Sequence, residues 1–103
     1  MLHVVHHPAY VSPATPGSAH RFDKYGLVMD ALRESGAAMT VHAPEPMARA
    51  WVEAVHDPAY VADVLNLTVP ADKARRIGFP ITERVARRAM LSPGGTWAAA
   101  RLA

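Results

Sequence analysis

The stretch YGLVMDALRESGAAMTVH, residues 25–42, carries the fold in its spacing. Tyr25, Val28, Met29 and Leu32 recur at the three- and four-residue intervals that put side chains on one face of an α-helix, while Asp30, Arg33 and Glu34 fall elsewhere around it. Gly36 can take the left-handed backbone conformation that closes such a helix. Met39–His42 then reads as a short strand, stopped by Ala43-Pro44-Glu45-Pro46. Working outward, Asp23 is placed to cap the helix N-terminus with its carboxylate. Residues 2–6 are rich in apolar and β-branched side chains, are ended by Pro8, and predict a buried strand. Between them, residues 12–19 hold Pro13, Pro16 and Gly17 and predict a loop crossing the end of a sheet. Strand, helix and strand in this order predict a βαβ unit with parallel strands.

Downstream the pattern is helical. Residues 47–55 predict a short helix with Trp51 and Val55 turned inward. In Val55-His56-Asp57-Pro58-Ala59-Tyr60-Val61, Asp57 predicts an N-cap and Pro58 fits the first helical position, where its missing N–H has no intrahelical partner. Tyr60, Val61, Val64 and Leu65 form the apolar face of this helix, which should end near Asn66. Residues 71–79 read as a charged loop. Thr82 is placed to cap a helix in which Val85, Ala86 and Ala89 oppose Arg84, Arg87 and Arg88. Ser92-Pro93 repeats the cap-plus-proline device, so a further helix is expected to start there and to be running still at Ala103. Two parallel strands cannot cover themselves, which suggests the first part of a larger α/β domain.

Composition narrows the class. Of 103 residues half are hydrophobic and 19% charged, as in a folded chain rather than a disordered one. There is no cysteine, which excludes a disulfide framework and thiolate zinc sites and fits a reducing compartment. The N-terminal residues lack the basic region and long apolar core of a signal peptide, and no apolar run approaches the roughly 20 residues of a membrane helix. A cytoplasmic protein is expected. Net charge is only +2, yet Lys73, Arg75, Arg76, Arg84, Arg87 and Arg88 crowd together with only Asp72 and Glu83 near them. Such a segment can attract phosphates or acidic partners or be a solvated helix face. No aromatic platform or nucleic-acid motif accompanies it, so nucleic acid is not the expected partner.

Residues able to carry chemistry are few. His3, His20, His42 and His56 are scattered with no helical i, i+4 pair among them, and no Asp-x-His occurs, so structural roles are expected for the six histidines. His6 and His7 are adjacent and on a strand would face opposite ways. No serine stands in a Gly-x-Ser-x-Gly elbow. Ser92-Pro93-Gly94-Gly95-Thr96 has the look of a phosphate cradle, but it lacks the lysine and spacing of a P-loop, and paired glycines also permit close helix packing. His6-His7-Pro8-Ala9-Tyr10-Val11 parallels His56-Asp57-Pro58-Ala59-Tyr60-Val61, and shared turn chemistry explains this better than a duplicated unit.

Laid out in this way, the chain resembles the N-terminal part of the histone deacetylase family, particularly its bacterial and class IV-like branch, over nearly its whole length. The landmarks are the opening strand with His7-Pro8, His20-Arg21-Phe22-Asp23-Lys24-Tyr25, residues 55–61, Arg75-Arg76-Ile77-Gly78-Phe79-Pro80, and Gly94-Gly95-Thr96 with its alanine-rich helix. The resemblance implies an arginase-deacetylase fold, a three-layer α/β/α sandwich around a mostly parallel sheet, of which residues 1–103 form a part truncated before the catalytic motifs. It implies a zinc-dependent amidohydrolase that removes acyl groups from lysine, polyamines or related amides. In the family, two aspartates and a histidine hold zinc, a metal-bound water attacks, a His-His pair handles protons and a tyrosine steadies the oxyanion. All of these lie downstream of the Gly-Gly-Thr helix. No catalytic residue, zinc ligand or cofactor is therefore expected in this chain alone, and it should be inactive by itself. Its expected partners are the remainder of the domain and, in the full-length protein, an acylated amide substrate, with no membrane. What carries over is a pocket wall. His20, Phe22, Lys24 and Tyr25 match an entrance loop, Lys24 at a basic channel position, while Ile77, Gly78, Phe79 and Pro80 match a second rim loop. Many eukaryotic members place a substrate-gripping aspartate in that second loop; Gly78 and Phe79 here suit an apolar rim instead. The alternative, from another class, is a stand-alone interaction module using the basic segment from Lys73 to Arg88.

Overall fold

The structure, a computed structural model, describes residues 1–13 and 21–103. It is mixed α/β and mostly helical. Strand β1 (Leu2–Val5) leads into a 3₁₀ turn (Pro8–Tyr10), then α1 (Lys24–Glu34), β2 (Met39–His42), α2 (Arg49–Val55), α3 (Pro58–Asn66), α4 (Ala71–Ile77) and α5 (Glu83–Leu102). The two strands pair in parallel, Leu2 opposite Met39 and Val5 opposite His42. The His6 N–H donates to the His42 carbonyl at 3.0 Å, which carries the ladder one residue past the strand. Strand, helix and parallel strand appear where the periodicity placed them. The expectation of a buried first strand is corrected: Leu2 is 45% exposed and Val4 and Val5 are only half-buried, since a two-stranded sheet lacks the layers that normally enclose parallel strands.

Local chemistry accounts for the helix ends. The Asp57 carboxylate accepts from the Ala59 N–H at 2.9 Å with Pro58 at the first helical position. His7 performs the same office at the 3₁₀ turn, its Nδ1 accepting from the Ala9 N–H at 2.9 Å ahead of Pro8. The two similar hexapeptides thus share a turn device while one opens a 3₁₀ turn and the other an α-helix. Thr82 caps α5 by accepting from the Val85 N–H at 3.3 Å, and Gly36 has φ +73° just beyond α1. Asp23 does not cap α1: its backbone is already helical, and its carboxylate takes two hydrogen bonds from the Arg21 guanidinium instead.

Two boundaries differ from expectation. Residues 71–77 are helix α4 rather than loop. Asp72 in its first turn and Arg75 and Arg76 in its last complement the helix dipole, and Gly78 ends it at φ +107°. Nor does a new helix start at Ser92-Pro93, because α5 runs unbroken through Pro93. A mid-helix proline withholds one N–H and crowds the preceding turn. In that turn the Met90 carbonyl accepts from the Met47 N–H at 2.9 Å, and the Leu91 carbonyl from the Tyr10 hydroxyl at 2.7 Å. Gly94 and Gly95 make this docking possible. Both are buried, and a Cβ at Gly94 would collide with the Glu45 carbonyl oxygen, one at Gly95 with the Tyr10 hydroxyl. The glycine pair serves packing, not a phosphate cradle, since it lies inside a helix rather than at an N-terminus.

Helix α5 is the spine, packing on β1, the 3₁₀ turn and α3, while α2 packs on α3. Among the described residues the buried hydrophobic side chains are Met29, Val61, Ala86 and Leu91. Tyr60, Val64 and Leu65 are half-buried beside Val61, as the α3 pattern implied. Trp51 and Val55 do not point inward. They are 68% and 77% exposed, and it is Val52 that joins the apolar seam with α3, so α2 is turned one position from the predicted facing. No helix among the described residues is long and apolar enough to cross a membrane.

Candidate functional site

The loop entering α1 and the loop leaving α4 meet. The Ser12 N–H donates to the Phe22 carbonyl at 2.9 Å, drawing Phe22 against the segment that follows the 3₁₀ turn. On the other side, left-handed Gly78 reverses the chain out of α4 and delivers Phe79. Phe22 and Phe79 contact edge to face, ring centroids 5.1 Å apart and planes at 89°, a geometry that sets the positive edge of one ring on the negative face of the other. The Arg88 guanidinium, projecting from α5, lies 3.9 Å from the Phe22 ring centre, and burial pulls it below its ordinary pKa despite the opposing influence of Tyr25. Phe22, Gly78, Phe79 and Pro80 line one shallow hollow of about 310 Å³ with Ser12, Pro13 and the start of α5.

The remaining residues expected at this rim are placed differently. His20 lies outside the described residues. Ile77 is absent from that hollow and lines an adjoining apolar one of about 250 Å³, which it shares with Phe79 itself and with Tyr60, Val64 and Val85. Tyr25 faces a separate hollow of about 360 Å³ together with His6, Tyr10, Met29 and Thr96, its ring 6.2 Å from that of Tyr10. Lys24 sits with its Nζ 5.0 Å from the Tyr25 ring centre and lines none of these three hollows. The rim is therefore Phe22, Gly78, Phe79 and Pro80, with Arg88 behind it. Nothing in the sequence paired Arg88 with Phe22, because its place on a charged helix face reads as solvent-facing.

Around the hollow that Tyr25 faces, burial pushes the Tyr10 phenol above its ordinary pKa, with Tyr25 adding to the effect. Burial, then the Arg33 charge, then His7 hold His6 below the ordinary imidazole value. His3 and His42 approach on the sheet, Nδ1 to Nε2 at 2.9 Å. Among the described residues no three His, Cys, Asp or Glu side chains gather as a metal site would require.

The basic segment is partly engaged. Lys73 stands 5.2 Å from the Tyr60 ring centre, Arg76 reaches Asp72 at 3.9 Å, and Arg88 covers Phe22. Arg75, Arg84 and Arg87 remain exposed.

No family model matches this chain. An uncharacterized protein of Picosynechococcus sp. is 38% identical over 104 residues, a match that takes in 97% of this chain and 34% of the relative. The chain thus spans about a third of the length of the curated relative it matches.

Proposed function

We propose that this chain is the N-terminal portion of a three-layer α/β/α, zinc-dependent amidohydrolase of the deacetylase type, and that it supplies an apolar wall of the substrate pocket. The observation that carries this reading is the meeting of Phe22 and Phe79. The resemblance assigned them to two rim loops far apart in the chain, and they close on each other edge to face at 5.1 Å. The parallel βαβ start and the much greater length of the relative also support it. In this reading Phe22, Phe79 and Pro80 exclude water from an acyl-bearing stem, Gly78 allows the reversal that presents Phe79, and Arg88 holds Phe22 in place. Zinc, its ligands and the proton-transfer groups belong to polypeptide outside this chain, and no catalytic step is assigned to residues within it.

The test assays the intact relative on an acetyl-lysine peptide and an acetylated polyamine, before and after chelation. Hydrolysis lost with the chelator and restored by zinc is the expected result, with the 103-residue chain inactive alone. Failure of the zinc-loaded relative on both amides, or activity in the isolated chain, would overturn the reading. A second reading, a stand-alone interaction module, draws on the exposed Arg75, Arg84 and Arg87. It requires salt-sensitive binding of the isolated chain to an acidic partner.

A further inference from the structure

Trp51 on α2 and Trp97 on α5 stand side by side on the surface, ring centroids 6.3 Å apart and planes at 32°. They are 68% and 55% exposed, and Val55, one turn beyond Trp51, is exposed as well. A hollow of about 450 Å³ opens at the foot of the pair, lined by Pro44, Pro46, Met47 and Arg101 among others. Tryptophan carries one of the largest apolar surfaces of any side chain, and an open pair backed by a hollow is the usual form of an interface anchor.

The molecule as a whole is short of cover. Its extents are 45 × 35 × 16 Å, a slab, and its accessible surface is 7009 Å². A compact monomer of 11.1 kDa exposes about 5,700 Å². The surplus, roughly 1,300 Å², exceeds the ~800 Å² that each partner contributes to a standard two-body interface. The relative carries about two-thirds of its length outside the matched region, ample polypeptide to cover a ridge and sheet faces together.

We propose that the Trp51–Trp97 ridge is a docking surface for that further polypeptide, and that in the larger domain the two indoles form a buried helix contact. This rests on the reading of the chain as part of a larger domain, but not on what that domain catalyses. Because the chain contains no cysteine, thiol labelling can report on single positions. Trp51→Cys and Trp97→Cys are made in the 103-residue chain, and cysteines are placed at the aligned positions of the intact relative. Labelling is followed peptide by peptide with a neutral maleimide. In the isolated chain both thiols are expected to react at the rate of an open thiol, independent of protein concentration. In the relative they should react at least about tenfold more slowly, as burial worth about 1.4 kcal/mol of opening requires. Equal rates in the two proteins would sink the proposal. So would protection in the isolated chain that is lost on dilution, because the ridge would then be covered by a second copy. The readout is independent of amide hydrolysis, so loss of the enzymatic reading leaves this one standing.

Discussion

Replacing Gly94 by alanine tests the central joint of the fold. A methyl group at this position falls on the Glu45 carbonyl oxygen and within 3.0 Å of the Met47 amide nitrogen. Both obstacles are backbone, so neither can swing aside, and α5 must move off the segment that enters α2. That separation also strains the bond from the Met47 N–H to the Met90 carbonyl, 2.9 Å in the native fold. Alanine gains roughly 0.9 kcal/mol over glycine in a helix interior. Against this stand overpacking, roughly 1–3 kcal/mol, and a lost hydrogen bond of about 1 kcal/mol. The balance is a net loss of about 2 kcal/mol, which for a domain of this size lowers the melting temperature by roughly 10 °C. Urea unfolding of Gly94→Ala and wild type, followed by far-UV circular dichroism, measures the difference. If helix propensity alone governed position 94, the variant would be more stable than wild type, and that result would refute the close approach.

The neighbouring glycine should behave as one half of a coupled pair. Gly95→Ala places its methyl on the Tyr10 hydroxyl, so removing that oxygen with Tyr10→Phe should recover part of the loss. A double-mutant cycle is expected to show coupling above about 0.5 kcal/mol, and additive effects would contradict the contact. Asp57→Ala deletes the cap on the Ala59 N–H and should lower stability by about 1 kcal/mol, with Asp57→Ser largely neutral. His6 predicts a pH dependence, since burial, Arg33 and His7 hold its folded pKa below the ordinary 6.5. The unfolded chain then binds the proton more readily, so this contribution is whole above pH 6.5, declines as pH falls toward the folded value, and is level below that. His6→Gln should flatten the urea midpoint across this window, whereas an unchanged slope would place the titration elsewhere.

Much of the local structure was legible because its causes are local. The α1 and α3 faces follow from spacing, the Asp57-Pro58 start from cap chemistry, and the strand Met39–His42 from a β-branched run stopped by prolines. Where the reading failed, a neighbour or a whole segment decided. Arg21 took the Asp23 carboxylate away from capping. The dipole-matched charges of residues 71–77 were read as loop polarity. Pro93 looks like a helix start because the groups that dock on this turn of α5, the Met47 N–H and the Tyr10 hydroxyl, are remote in sequence. Trp51 and Val55 are expected inward, but packing on α3 turns Val52 inward instead.

The candidate rim divides in the same way. That Phe22 and Phe79 belong to loops could be read from the sequence, since Pro80 and Gly78 mark one of them. That the two rings touch, with Arg88 over one of them, depends on how α4 and α5 bring distant loops to one place. The sequence by itself determined the parallel βαβ start, the capped third helix and the small residues at positions 94 and 95, because each depends on periodicity or on bonds within a few residues. Tertiary structure alone decided which apolar residues turn inward, what docks on α5 around its proline and which side chains form the rim. Those outcomes rest on contacts between segments far apart in the chain, for which no local pattern exists.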